Sequence, residues 1–410
     1  MSDRRRIVII GAGECGTRAA LALREYGYDG AIDLINGEAA DPYERPPLSK
    51  PGPDELALKS IMGSDRFASE NITLHRDQRA VQIYRHTKTV KLSNSQNLFY
   101  DRLVLATGAR PRKLTLDGLE RDDVQVLRTF NDAKALYEEL KPGCRLTVIG
   151  GGFIGLELVA AARQRDVLTT VIESAPRLLG RAVPAMIAAR IEARHRAAGV
   201  IFHIGKSISS INSSRILGLS DGVEISSDVI VAGIGSVPNV ELAEVAGLLI
   251  DNGIAVDEHL RTSDPDIFAA GDCCSFPHPL YGQKRMRLES WRAAQEQGAY
   301  VARAVLGATE PYSAVPWFWS DHYDLSLQIA GMPSEGTKTV MRSLDQESVL
   351  LFHLDEAGRL VAASGIGLGN RIARDIRLSE MLIEKQVHPS ETALADPSVT
   401  LKSILSSASS

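Results

Sequence analysis

The order strand, Gly-x-Gly-x-x-Gly, helix, strand, acid occurs twice in this chain. The first copy runs from the apolar Ile7-Val8-Ile9-Ile10 into Gly11-Ala12-Gly13-Glu14-Cys15-Gly16 and a helix-forming stretch through Leu23. A second apolar run, Ile32 to Ile35, and then Glu38 complete it, and Gly27 is placed to stop the helix. The second copy starts at Leu146-Thr147-Val148-Ile149 and continues through Gly150-Gly151-Gly152-Phe153-Ile154-Gly155 into a helical run from Leu156 to Arg163. Thr170-Val171-Ile172 and Glu173 close it. Gly11, Gly13 and Gly16 are matched by Gly150, Gly152 and Gly155 at a constant offset of 139, and the acid follows the first glycine by 27 residues in one copy and 23 in the other.

This context leaves little choice of fold. The first glycine permits the tight turn after the strand, the second lets the backbone approach a pyrophosphate, and the third lets helix and strand pack closely. Phosphates then meet the free N–H groups and the dipole of the helix N-terminus. The acid at the end of the second strand accepts from an adenosine ribose. Two such sites call for two dinucleotides, and the economical pair is a bound flavin dinucleotide, FAD, with a diffusing nicotinamide dinucleotide. The fold class is therefore α/β, with two Rossmann-like dinucleotide-binding domains. Further strands are read at Leu103–Leu105, ending in Ala106-Thr107-Gly108, at 229–235, ending in Gly235, and at 267–270, ending in Gly271-Asp272. The C-terminal part reads independently as α+β: Leu351 to Leu354 and Leu360 to Ala363 are joined by the turn Asp355-Glu356-Ala357-Gly358, and a helical stretch follows near 370–386.

Composition narrows the function. The 410 residues suit two or three domains at about 100–200 residues each, and 44% apolar with 24% charged residues excludes a disordered or collagen-like chain. The net charge is −5, from 46 basic and 51 acidic residues, and no basic tract accompanies it, which argues against nucleic acid. No apolar run reaches the roughly 18 residues of a membrane span, and Ile7 to Ile10 is too short for a secretory core. Cys15, Cys144, Cys273 and Cys274 have no zinc spacing and read as buried thiols in a reducing cytoplasm. His195 and His203 are eight apart with no third ligand, so no metal site is expected.

Beyond the two fingerprints, the chain carries Glu44-Arg45-Pro46-Pro47-Leu48-Ser49-Lys50, Ala106-Thr107-Gly108, Gly271-Asp272, Trp291 with Ala294-Gln295, and Pro316-Trp317-Phe318-Trp319-Ser320-Asp321. With these it resembles the flavoprotein pyridine-nucleotide oxidoreductases of glutathione-reductase-like fold. Within them it resembles the ferredoxin reductases of bacterial oxygenase systems, of the putidaredoxin reductase and biphenyl-dioxygenase reductase type. The resemblance implies a flavin domain split between 1–112 and 236–315, an NADH-binding domain at 113–235 and a C-terminal α+β domain at 316–410. It implies that NADH passes a hydride to FAD, and that single electrons go on to a [2Fe–2S] ferredoxin that feeds an oxygenase. The chain would be monomer or homodimer, in the cytoplasm, with no membrane or nucleic-acid partner. Rubredoxin reductase, NADH oxidase and a non-enzymatic flavin scaffold like apoptosis-inducing factor are the alternatives.

The same resemblance implies the site. Disulfide reductases of this superfamily carry two cysteines where this chain has Arg45 to Lys50, so a dithiol relay is excluded. Lys50 is placed beside the flavin N5 edge and Glu157 near the nicotinamide, and the two are expected to pair. The FAD site would take Gly11, Gly13, Gly16, Glu38, Arg45, Lys50, Ala106, Thr107, Gly108, Asp272, Trp291 and Trp319. Asp272 also reads as a helix cap, Trp319 equally as core packing, and Trp317 as core. Trp291 and Gln295 would cover the pyrimidine side. The NADH site would take Gly150, Gly152, Ile154, Gly155, Glu173, Arg181 and Gly235, with Glu173 repelling the 2′-phosphate of NADPH. His322 stands where relatives tend to have Gln and receives no catalytic role. Pro51, Gly52 and Pro53 depart from the helix that relatives begin there. Because ferredoxins of this kind are acidic, Lys284, Arg285, Arg287, Arg292, Lys338 and Arg342 are expected to supply a basic docking face for a transient complex.

Overall fold

A computed structural model describes residues 5–50, 56–116, 119–121, 123–180 and 182–407. The segment Pro51-Gly52-Pro53 lies outside them. Contacts divide the chain into two compact units. The first comprises Met1–Glu44, Leu58–Arg110 and Val237–Ala314, and the second Arg45–Ala57, Pro111–Ser236 and Val315–Ser410.

In the first unit the apolar runs become a parallel five-stranded sheet in the order Ile267–Ala269, Arg102–Leu105, Arg6–Ile10, Ala31–Ile35, Ile72–His75. The central strand is buried from Ile7 to Ile10, which is why its sequence is continuously apolar instead of alternating. The helix Glu14–Glu25 leaves the tip of that strand, and the Gly27 N–H returns to the Arg24 carbonyl at its end. The helix Trp291–Val305 packs against it. An antiparallel sheet of Ala80–Tyr84, Thr89–Leu92 and Asn97–Phe99 completes the unit's main elements.

The second unit repeats the plan. Its parallel sheet has the order Ile201–Ile204, Leu168–Glu173, Arg145–Ile149, Val229–Ala232, with the helix Phe153–Arg163 following the central strand. It also holds an antiparallel five-stranded sheet in the order Trp317–His322, Leu325–Gly331, Leu360–Leu368, Val349–Leu354, Lys338–Ser343. The predicted turn at 355–358 joins two of these strands, and the predicted C-terminal helix spans Ala373–Glu384. One apolar cluster runs from Leu146, Leu158 and Ile187 to Leu327, Leu351 and Ile366, so both sheets of this unit share a core. No helix among the described residues is long and apolar enough to cross a membrane.

Three rings of the second unit, His195, His322 and His353, are buried. Burial lowers His195 and His353 from 6.5 to about 4, with Arg194 adding to the effect at His195, and it puts His322 well below its ordinary value. The unfolded chain therefore takes up protons first on acidification, and stability is lost as pH falls from about 6.5 towards 4. Each ring steepens the loss by up to about 1.4 kcal/mol per pH unit in that window. Thermal unfolding followed by circular dichroism should show a midpoint that falls steadily between pH 7 and pH 5. A flat or rising midpoint would contradict this.

Candidate functional sites in the two units

Both fingerprints adopt one backbone solution. In the first unit Gly11 has φ +106° and donates to the Ile35 carbonyl at 3.0 Å; a Cβ there would lie 2.2 Å from the Ala106 oxygen. Its counterpart Gly150 has φ +105° and donates to Ile172 at 2.7 Å, and its Cβ would lie 2.4 Å from the Gly233 oxygen. The third glycine closes each turn: a Cβ on Gly16 would sit 1.9 Å from the Gly11 oxygen, and one on Gly155 would sit 2.8 Å from the Gly150 oxygen. The middle glycines are different. Gly13 and Gly152 are helix N-caps without a side-chain cap; a Cβ on Gly13 would meet nothing within 4 Å, and one on Gly152 only the Gly233 oxygen at 3.8 Å. The turn glycines are thus fixed by protein packing, while the middle ones leave room at a helix N-terminus for an anion, as a dinucleotide pyrophosphate requires.

Around the first cradle, the Thr107 hydroxyl donates to the Asn239 carbonyl at 2.7 Å, and Asn239 answers with its own N–H to Gly108 and its amide to Thr107. Glu38 accepts the Tyr43 hydroxyl at 2.7 Å. Asp272 follows Gly271 in a turn that leads into the strand Cys274–His278, so the helix-cap reading does not apply. The Gly271 N–H is held by Gln297 at 2.7 Å. Trp291 Nε1 and Gln295 Nε2 both donate to the Glu14 carboxylate, at 3.0 and 2.8 Å. Burial raises the Glu14 pKa against these lowering bonds. Sequence reading missed Glu14, although its place in the first turn of a fingerprint helix is a signal in itself.

Around the second cradle, Glu173 accepts the Gly151 and Ala175 N–H groups, each at 2.7 Å. Ile154 is 51% exposed on the first helical turn. Gly235 accepts the Arg112 N–H at 2.9 Å. Arg181 lies outside the described residues. Arg177 spends its guanidinium on the Val183 and Gly180 carbonyls.

The second unit also gathers a charged cluster. Pro46 to Ser49 form a single 3₁₀ turn, Arg45 donates to the Arg128 carbonyl at 2.7 Å, and Lys50 follows. Lys50 Nζ lies 3.3 Å from Glu157 Oε1, 3.1 Å from Asp321 Oδ2 and 5.3 Å from the centre of the Trp319 ring. Glu157, whose side chain is 8% exposed, also accepts the hydroxyls of Ser49 at 2.6 Å and Ser320 at 2.7 Å. In the strand Trp317–His322 alternate residues share a face, which puts Trp319 and Asp321 together on the side of Lys50. That alternation could have revealed Asp321 from sequence. Trp317 stacks on Trp319 at 5.5 Å and is half-buried, not core as expected. His322 is fully buried and meets His195 at 3.2 Å, a contact the sequence spacing of His195 and His203 did not suggest.

The expected basic face is corrected in part. Arg342 is buried and donates to the Leu394 and Ala393 carbonyls. Arg287 pairs with Glu289, Arg292 with Glu296 and Lys338 with Glu391. Arg285 binds two backbone carbonyls besides Asp251. These cations serve local structure first.

Comparison with known proteins agrees with this geometry. A family model described as pyridine nucleotide-disulphide oxidoreductase matches residues 5–298, and one described as reductase C-terminal matches 317–405. The anthranilate 1,2-dioxygenase system ferredoxin–NAD(+) reductase component of Burkholderia cepacia is 40% identical over 97% of this chain and 98% of its own. Putidaredoxin reductase of Pseudomonas putida is 36% identical over 100% of this chain and 98% of its own. Among solved structures, the covalent putidaredoxin reductase–putidaredoxin complex matches with a TM-score of 0.92 and 34% identity over 99% of both chains. The ferredoxin reductase for the CYP199A2 system from Rhodopseudomonas palustris matches with a TM-score of 0.91 and 36% identity over 97% of this chain and 99% of that one.

The glycines give a test that separates packing from binding. Gly16→Ala should lower the thermal midpoint by several degrees, since overpacking typically costs about 1–3 kcal/mol. Gly13→Ala should leave the midpoint nearly unchanged yet release dinucleotide, read as a lower flavin-to-protein absorbance ratio after gel filtration. Equal effects of the two changes on both readouts would refute the distinction.

Proposed function

The chain belongs to the pyridine nucleotide-disulphide oxidoreductase family, and on that premise we propose that it is an NADH-dependent FAD ferredoxin reductase serving an oxygenase. The observation that carries the reading is the segment from Arg45 to Lys50. It has no thiols for a dithiol relay, and it presents a lysine anchored by Glu157 and Asp321. FAD, when bound, accepts the hydride of NADH and passes its electrons on one at a time. A [2Fe–2S] ferredoxin is the acceptor, in a transient complex. We assign FAD binding to 1–112 with 236–315, NADH binding to 113–235, and the C-terminal domain to 316–410. The four free cysteines, three of them buried, suit the reducing cytoplasm.

Each residue role follows from its chemistry. Lys50 holds positive charge where electron density arrives, and Ser49, Ser320 and Glu157 fix it in place. Glu38 and Glu173 stand at the strand ends to accept ribose hydroxyls. The carboxylate of Glu173 opposes a 2′-phosphate, and Arg177 is already committed to backbone carbonyls. Arg181 completes the adenosine side.

Stopped-flow mixing with NADH and candidate [2Fe–2S] ferredoxins tests the whole reading. Flavin absorbance should bleach rapidly and recover as the ferredoxin is reduced; bleaching without ferredoxin reduction would sink the acceptor assignment. NADH should exceed NADPH in kcat/KM by about tenfold or more, and equal values would refute the role of Glu173. Glu157→Gln should slow bleaching by NADH more than it weakens flavin retention. The reverse pattern would make Glu157 a structural residue only.

A further inference from the structure

A file of buried polar groups leads away from Glu157. Ser320 Oγ is 2.7 Å from Glu157 Oε1 and 3.2 Å from His322 Nε2. His322 Nδ1 is 3.2 Å from His195 Nε2, and His195 Nδ1 is 3.5 Å from the Tyr323 hydroxyl. Ser320, His322 and His195 are fully buried, whereas Tyr323 is only partly so. We propose that Ser320, His322, His195 and Tyr323 form a proton path connecting the Glu157 carboxylate to water at Tyr323.

The directions of the hydrogen bonds follow from the ends. Glu157, as a carboxylate paired with Lys50, can only accept, so Ser320 donates to it. Ser320 Oγ then accepts from His322 Nε2–H, His322 Nδ1 from His195 Nε2–H, and His195 Nδ1 from the Tyr323 hydroxyl. Every hydrogen points inward. If each moves one step, Tyr323 takes a proton from water, Glu157 becomes neutral, and both rings change from Nε2–H to Nδ1–H. The same steps reversed return one proton to water and restore the starting tautomers. No electron moves, and one proton is exchanged with solvent.

Two features of the path have little use in packing alone. Both rings are held neutral by burial, so they pass a proton by changing tautomer without storing charge. Tyr323 sits at φ +60° in the turn between Trp317–His322 and Leu325–Gly331, a conformation that a bulky residue adopts only at a cost. There its ring packs edge-on to His195 at 5.0 Å, with the Arg194 guanidinium 4.4 Å from its centre. The charged groups around the path include Arg194, paired with Asp324, together with Arg196 over Phe202, Arg163, and Lys50 with its partner Asp321. Lys50 and Asp321 lie at the inner end and the others towards the outer end.

The proposal rests on the ferredoxin-reductase reading for its purpose. Negative charge arriving beside Lys50 on reduction would be balanced by one proton taken in along the path to Glu157, and the same proton goes back to water when the electrons leave singly for an iron–sulfur acceptor. The test separates the two ideas. Holoenzyme reduced by dithionite is mixed with ferricyanide, a one-electron acceptor needing no docking site, and proton release is followed with an indicator dye beside flavin absorbance. His322→Phe and the milder Tyr323→Phe should slow proton release at least tenfold while flavin oxidation is less affected. External imidazole should restore release in His195→Gly. Nitrogen-15 NMR of labelled wild-type protein should find both rings protonated on Nε2 at neutral pH. Wild-type release rates in folded His322→Phe or Tyr323→Phe, or either ring protonated on Nδ1 in that resting state, would overturn the path. A failure to reduce ferredoxin with NADH would instead overturn the functional reading and leave these measurements standing.

Discussion

Glu157 is a carboxylate shut away from water, and its need for donors decides how three distant parts of the second unit meet. Leaving such a charge unpaired would cost several kcal/mol, so each oxygen must be served. Ser49 serves one oxygen, and Ser320 and Lys50 the other. These donors come from a proline-rich turn, from a strand more than 160 residues beyond Glu157, and from the residue after the turn. The helix Phe153–Arg163 carries Glu157 because the second fingerprint places a helix there. The dinucleotide fold and the charged cluster are thus linked through one helical turn.

The two halves of the repeat show how far one backbone solution can be reused. The turn glycines are interchangeable in their φ values and in the carbonyls that crowd them. Beyond the glycines the copies part. In the first, Glu14 follows the N-cap and is held by Trp291 and Gln295, a polar arrangement that ties two helices together at their ends. In the second the corresponding position is Phe153, which packs edge-on against Phe318 at 5.0 Å. The same helix start is used in one unit to hold a partly buried carboxylate and in the other to join a sheet to a helix through aromatic contact.

What was legible in the sequence was whatever repeats or keeps short range. The fingerprints, their strands and helices, and the C-terminal hairpin at 355–358 fall where local pattern puts them. The Lys50–Glu157 proximity was accessible only through family resemblance, since 107 residues separate the two. Contacts over 277 residues for Trp291 with Glu14 and 127 for His195 with His322 had no local signature. Arg342 reads as a surface cation by type, yet the strand Lys338–Ser343 turns it inward to cap the carbonyls of Ala393 and Leu394. Asp272 reads as a cap by type, but a strand follows it instead of a helix. Residue type states what a side chain can do; only tertiary placement selects among the options.

The arrangement of charge around Glu157 has a further logic. Lys50 is balanced by two carboxylates, Glu157 within and Asp321 nearer solvent, and its ammonium also faces the Trp319 ring. Beyond Ser320 the buried polar groups are neutral imidazoles, so no second cation competes for Glu157 from that side. Arg194, which adds to the lowering at His195, pairs with Asp324 at 2.6 Å and stacks on Tyr323. A protonated ring at His322 would bring a second positive charge next to Ser320 and weaken the hold of Glu157 on Lys50. Keeping both rings neutral leaves the Lys50–Glu157 pair without a competing cation on that side.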